Sequence, residues 1–432
     1  MLFQKKIENY QILKNPFKAY RMNCRHCNNE LSIEFTDLGS SPPSNSYLTK
    51  YEDKHTEDSY PLKVFVCDKC FLVQIDEHKN ASEIFDENYA YFSSYSSSWL
   101  LHSKEYVDYM TDRFNFNSHS LVVELASNDG YLLQYFKEKN ISVLGIEPTH
   151  STAIVAKEKG IETIVDFFNE KLAIELSRNQ KKANLILGNN VLAHVPDIND
   201  FVKGMKILLA KDGIITMEFP HLCQLIDQTQ FDTIYHEHFS YLSFTTVKTI
   251  FSSVGLELFD VQEISTHGGS LRIFAKHKED NSKLISNNIS ILLDKEYNKG
   301  VTNLNYYENF QPKVNQIKKE LIYFLKEQKL NGKTVAAYGA AAKGNTLLNF
   351  CNIKYQDKLI DFVVDASPFK QNKFLPGSHI PIVDEQKIKD AKPDFILILP
   401  WNIKNEVIVQ LSYIKEWNGK FVISIPKLKI LD

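Results

Sequence analysis

Between Leu121 and Phe219 the chain alternates apolar runs with amphipathic ones: "LVVELA" before "YLLQYFKEK", "SVLGIEP" before "TAIVAKEKG", "NLILGNN" before "INDFVKGMKILLA", and then "GIITMEF". Strand, helix and strand in repeated order predicts a parallel sheet with crossover helices. Ligands of such sheets sit at the carboxyl ends of the strands, so the residues that close each run are the ones to read for chemistry. A second alternation follows Asn331, through "TVAAYG", "AAKGNTLLNFC", "LIDFVVD", "DFILILPW" and "FVISIP", and predicts a smaller α/β domain. The 432 residues are enough for several cores. We divide them into an N-terminal module over 1–86, a central α/β domain over 87–280, a helical linker over 281–330 and a C-terminal Rossmann-like domain over 331–432. In the linker, "VNQIKKELIYFL" spaces its apolar residues for one buried face.

The N-terminal module carries "CRHC" (Cys24, Cys27) and "CDKC" (Cys67, Cys70), separated by 39 residues that include the loop "SSPPSNSYL". Four thiolates in two such pairs close a tetrahedral Zn²⁺ site with no open position, a structural site rather than a catalytic one. Free thiols or a redox pair are the alternative; Cys223 and Cys351 stand alone and read as core. Paired cysteines of this kind, and the absence of a secretory signal or membrane-length apolar run, place the chain in the cytoplasm, with no membrane partner. A formal charge of -3 gives no basic face for nucleic acid.

After the strand "LVVE" comes the turn "LASNDGYLL", in which Glu124 ends the strand and Ser127, Asn128, Asp129 and Gly130 lead into a helix N-terminus. The next strand ends at Glu147, 23 residues on, placed to accept both hydroxyls of a ribose. The ligand is therefore adenosine-like. A dinucleotide wants three glycines to approach its pyrophosphate, and here Gly130 stands alone while Glu124 and Asp129 crowd the turn and would repel one. An acidic turn suits a sulfonium and an amino group, so S-adenosylmethionine is the expected cofactor, with Asp166 and Phe167 of "DFF" bordering the adenine and Asn189 closing a third strand.

In these motifs the chain resembles the three-domain, zinc-containing sugar C-methyltransferases of deoxysugar biosynthesis. The resemblance runs from about Met22 to Pro426 through both cysteine pairs, "YAYFSSYSSSW", "ELASNDGYLL", "GIEPT", "GNNVLAHVPD", "IYHEHFSYLS", "HGGSLRIF", "AYGAAAKGNT" and "LPWN". It implies methylation of C3 of a nucleotide-linked 4-keto-deoxysugar, with dTDP the usual nucleotide and GDP or CDP left open. A C4 keto group acidifies the C3 hydrogen, so such an enzyme needs a base, a stabiliser for the enolate and a methyl donor held in line. By the resemblance His238 is the base, Glu237 and Tyr235 position the sugar or the base, and His194 bonds the substrate or supports the enolate. His236 and His238 are two apart, not the four of a helical zinc site, so a metal role for this run is disfavoured.

The resemblance further places Tyr91 and Ser94 over the cofactor's methionine end, and His267, Ser270 and Arg272 beside the crevice. "YGAAAKGNT" is a second strand-to-helix turn, in which Lys343, Asn345 and Thr346 are expected to donate to a diphosphate, with Trp401 and Asn402 near the sugar or nucleotide. A monomer or weak homo-oligomer is expected. An O- or N-methyltransferase on a nucleotide sugar is the principal alternative, since it would use the same cofactor turn without needing a carbon acid. An RNA methyltransferase and a binding protein without chemistry are the others.

Overall fold

The computed structural model describes residues 22–80, 83, 92–179 and 181–431. Three sheets account for the regular structure. The first is antiparallel, β1 (Ile33–Ser41), β2 (Tyr60–Val66) and β3 (Val73–Ile75), and is closed by β9 (Ser240–Tyr241), a two-residue strand lent by the central region. Val73 pairs with Tyr241 and Gln74 with Ser240. The N-terminal module is thus completed by residues that directly follow the His-Glu-His run.

The second sheet has seven strands. Its parallel part is β4 (Leu121–Leu125), β5 (Ser142–Ile146), β6 (Thr163–Ile164), β7 (Ala183–Asn189) and β8 (Leu209–Pro220), and an antiparallel pair, β10 (Leu256–Ile264) and β11 (Ser270–His277), is added at one edge. The spatial order is β10-β11-β8-β7-β4-β5-β6. From β4 the chain proceeds outward through β5 and β6, then returns to place β7 and β8 on the other side. The reversal leaves a crevice above the carboxyl ends of β4 and β7, where such sheets bind ligands.

The third sheet orders β14 (Ile382–Val383), β13 (Val363–Val364), β12 (Val335–Tyr338), β15 (Phe395–Ile398) and β16 (Lys420–Ile423) in parallel, with β17 (Lys429–Leu431) antiparallel at the end. The helix Phe310–Leu330 buries Phe310, Val314, Ile317, Leu321, Phe324 and Leu325, one stripe at helical spacing. At its two ends Phe310 stacks on Phe35 of β1 (centroids 4.5 Å apart) and Phe324 meets Phe395 of β15 edge-on at 5.3 Å. It is a strut, and one continuous apolar cluster runs through it from the first sheet to the third.

Candidate active site

Cys24 and Cys70 Sγ lie 3.5 Å apart, as do Cys27 and Cys67, and all four sulfurs fall within 4.8 Å of one another. A tetrahedron with Zn–S bonds of about 2.3 Å has sulfur edges of about 3.8 Å, so the cluster fits the ion. Gln74 Nε2 donates to Cys24 Sγ at 3.2 Å and the Lys69 amide to Cys67 Sγ at 3.4 Å, the outer hydrogen bonds that such thiolates take. Cys223 and Cys351 are buried, as expected of core residues.

A cavity of about 570 Å³ opens above the second sheet, and all three parts of the chain line it. At one end the cofactor turn is held in a costly conformation: Ala126 and Asn128 have φ of 57° and 49°, left-handed values for side-chain-bearing residues. Gly130 has φ 72°, and a Cβ there would lie 2.4 Å from Ile161 Cδ1. The Asn128 amide donates to Glu147 Oε2 at 2.8 Å and the Thr149 amide to Oε1 at 2.9 Å, which fixes that carboxylate at the cavity wall with lone pairs to spare. Asn189, 9% exposed at the end of β7, lines the cavity, and neither atom of its amide meets a protein partner. Buried amides are almost always bonded, so this one is free to take a ligand. Glu147, Asn189, Phe167 and Phe168 together suit an adenosine with an exposed ribose edge.

Several residues expected at this end are placed otherwise. Asp129 does not face the cavity: Oδ2 accepts from the Ser94 amide and hydroxyl and lies 3.5 Å from Lys159 Nζ. Ser94 is spent on the same contact, and it is Ser93, whose amide donates to Asn128 Oδ1, that reaches the wall. Glu124 and Ser127 are buried behind the turn, and burial pushes the Glu124 carboxyl well above the ordinary range. Ser127 Oγ lies where a Cβ on Gly145 would be, 2.5 Å away. Asp166 is exposed and bonds the Phe167 amide. Tyr91 lies outside the described residues.

In the cavity lining, His238 Nδ1 donates to the Thr233 carbonyl at 2.8 Å. A carbonyl can only accept, so the neutral ring keeps its lone pair on Nε2, and there it accepts from the Tyr235 hydroxyl at 2.8 Å. Burial holds His238 well below the ordinary imidazole range, with His194 beside it acting in the same direction. The His194 ring packs edge-on at 4.5 Å, and burial lowers its pKa to about 4. Burial thus disfavours the charged form of both imidazoles, which stand together in the cavity lining. Glu237 Oε1 accepts from Asn45 Nδ2 at 2.7 Å, and burial raises its carboxyl to about 7. His236 turns the other way, toward the Tyr60 and Pro61 carbonyls of β2.

Two lysines also line the cavity, Lys370 beside Asp365 and Lys343 with its pKa lowered by burial. Lys343 is at the start of the helix Ala342–Phe350, and Ala341, Ala342 and Asn402 line the cavity with the two lysines. Lys343 Nζ donates to Asn402 Oδ1 at 3.2 Å and to the His267 carbonyl at 3.4 Å. Here too the sequence reading needs correction. Asn345 and Thr346 are not exposed; they donate to the carbonyls of Ser44 (2.5 Å) and Ile234 (2.9 Å) and tie this helix to the other two parts of the chain. Ser270 bonds the Thr266 carbonyl, and Arg272 is taken by Glu218 and Gln262. Trp401 lies behind the wall, with Nε1 donating to Asp232 at 2.7 Å and its ring against Gly268. Asn45, Trp99, Tyr131 and Lys370 are wall residues that the sequence reading missed.

Comparison with known proteins agrees in three consecutive segments. Residues 24–85 match a zinc binding domain, 102–261 a methyltransferase domain and 265–426 a C-methyltransferase C-terminal domain. The C-methyltransferase NovU of Streptomyces niveus is 33% identical over 409 residues, which are 95% of this chain and 96% of that one. Among solved structures, a SAM-dependent methyltransferase from Anabaena variabilis is 15% identical over 47% of this chain and 99% of its own, with a TM-score of 0.36. The magnesium protoporphyrin IX methyltransferase of Synechocystis, with bound SAM, is 13% identical over 41% and 78%, with a TM-score of 0.31. With a full-length relative at that identity, and the cysteine cluster, methyltransferase domain and C-terminal domain in matching order, the chain belongs to the zinc-containing, S-adenosylmethionine-dependent C-methyltransferases.

Proposed function

We propose that the enzyme methylates C3 of a nucleotide-linked 4-keto-deoxysugar. The observation that carries this reading is the hydrogen-bonded run Tyr235–His238–Thr233, with His194 at its side, in the lining of a cavity that also carries Glu147, Asn189, Lys343 and Lys370. S-Adenosylmethionine supplies an electrophilic methyl group, with Glu147 and Asn189 as the residues that would hold its adenosine portion.

A methyl acceptor at carbon must first lose a proton. His238 meets the requirement because its tautomer leaves Nε2 as the basic atom, and burial keeps the ring unprotonated at neutral pH. The Tyr235 hydroxyl donates to that same atom, so it either yields its place to the substrate C–H or passes the proton along. Glu237, in its protonated form, and His194 would donate hydrogen bonds to the C4 oxygen as charge gathers there. Lys343 and Lys370, with the N-terminal amides of the helix Ala342–Phe350, suit a diphosphate. Asp197 and Asp200, which also line the cavity, suit the cationic part of the cofactor.

The test is exchange. Incubated in deuterated water with S-adenosylhomocysteine, the enzyme should wash the C3 hydrogen out of a nucleotide-linked 4-keto-deoxysugar, which a transferase acting on oxygen or nitrogen has no reason to do. Absence of exchange under conditions that support methyl transfer would refute the proposal.

A further inference from the structure

Arg25 lies inside the first Cys-x-x-Cys turn, yet its guanidinium reaches the two loops that carry the cavity histidines. The side chain is 9% exposed. Nη1 donates at 2.9 Å to the carbonyl of Pro196, two residues beyond His194. Nη2 donates at 2.8 Å to the carbonyl of Ile75, whose own amide bonds the Phe239 carbonyl next to His238. The guanidinium also lies over the Phe239 ring, 4.9 Å from its centroid. On the other side the Arg25 amide donates to Gln74 Oε1, and Gln74 Nε2 donates to Cys24 Sγ. Beside it, His26 Nδ1 bonds Asn199 Oδ1 at 2.8 Å, and Asn199 Nδ2 returns a bond to the His26 carbonyl.

We propose that Arg25 is a positioning residue for proton abstraction, which makes the thiolate cluster a brace for the histidine pair. A planar guanidinium can serve two carbonyls at a fixed angle while stacking on a ring; an ammonium cannot do all three. His194 and His238 come from loops more than forty residues apart in sequence. Their 4.5 Å packing depends on both loops being held to a common point; Arg25 bonds the His194 loop directly and reaches the His238 loop through Ile75 and the Phe239 ring. Arg25 is absent from the cavity wall, so it acts through the loops and not on substrate. The assignment rests on the histidine roles proposed above.

The test compares wild type with Arg25→Ala and Arg25→Lys, reading zinc content, S-adenosylmethionine affinity, amide hydrogen exchange over 192–198 and 233–241, and turnover at saturating substrates. Arg25→Ala should retain zinc, keep cofactor affinity within about twofold, exchange faster in both segments and lose about tenfold or more in kcat. Arg25→Lys should fall between the two, and free guanidinium ion should restore part of the Arg25→Ala rate. Unchanged exchange and turnover in Arg25→Ala would overturn the proposal, as would a loss of turnover that only accompanies loss of zinc or cofactor affinity. Should Arg25→Ala fail to fold, Arg25→Lys is judged by the same outcomes. A wild-type enzyme inert toward every nucleotide keto-sugar counts against the proposed function, while the exchange comparison still decides whether Arg25 ties the loops together.

Discussion

His238→Asn is the substitution whose consequences the structure specifies most closely. Asparagine can keep a donor near the Thr233 carbonyl, where His238 Nδ1 now donates at 2.8 Å, while the Nε2 lone pair disappears. Because burial holds the imidazole neutral, the change removes a base without removing a charge, and the field in the cavity is left nearly as it was. A positioned general base contributes about 10²–10⁴ in rate, or about 3–5 kcal/mol of barrier. The structural cost is smaller, since the bond from Tyr235 is worth about 1 kcal/mol. The assay is single-turnover methyl incorporation followed by mass spectrometry, with cofactor affinity measured separately by calorimetry. We expect the methyl-transfer rate to fall by about two to four decades with cofactor affinity unchanged. A variant that binds cofactor normally and turns over within about threefold of wild type would refute the assignment of His238 as base. The same neutrality governs pH. With His238 depressed below the ordinary 6.5, the acid limb of the wild-type rate profile should lie below that value, not at it.

Other perturbations are just as specific. Glu237 is raised from 4.5 to about 7, so its contribution to stability is full below the lower value and is lost as pH rises through the upper one. Thermal melting of Glu237→Gln should therefore gain on wild type between about pH 5 and pH 8, and a constant difference would contradict the shift. Gly130→Ala places a methyl group 2.4 Å from Ile161 Cδ1 at φ 72° and should cost about 1–3 kcal/mol in unfolding experiments, with weaker cofactor binding. Asn189→Ala should leave melting unchanged, since its amide bonds no protein group, but weaken S-adenosylmethionine by about 0.5–1.5 kcal/mol in a titration.

Much of this was legible in the chain. The closing residues of the strands, Glu147 and Asn189, and Asn128 of the turn do line the cavity, and strand ends and turn chemistry are local properties of a sequence. The four cysteines and the Tyr235–His238 run were legible for the same reason. What could not be read was which polar side chain would be claimed by the protein itself. Arg272 looks like a ligand-binding arginine until Glu218, 54 residues away, takes it, and Asn345 looks like an anion donor until the Ser44 carbonyl, 301 residues away, does the same. Asp129 reads as a cofactor acid, and Lys159 neutralises it from the next crossover. Asn45 was missed for the converse reason. It sits in a loop whose sequence speaks only of turns, and it enters the site because β9 docks the first sheet against the histidine loop.

The proposed function rests on one claim, that a carbon next to a carbonyl is deprotonated and methylated within this chamber. The most direct measurement is incubation with methyl-labelled S-adenosylmethionine and a panel of nucleotide-linked 4-keto-deoxysugars, followed by fragmentation mass spectrometry and carbon NMR of any product. The account predicts one added methyl group, bonded to ring carbon C3 next to the carbonyl. A methyl group found on oxygen or nitrogen would contradict it.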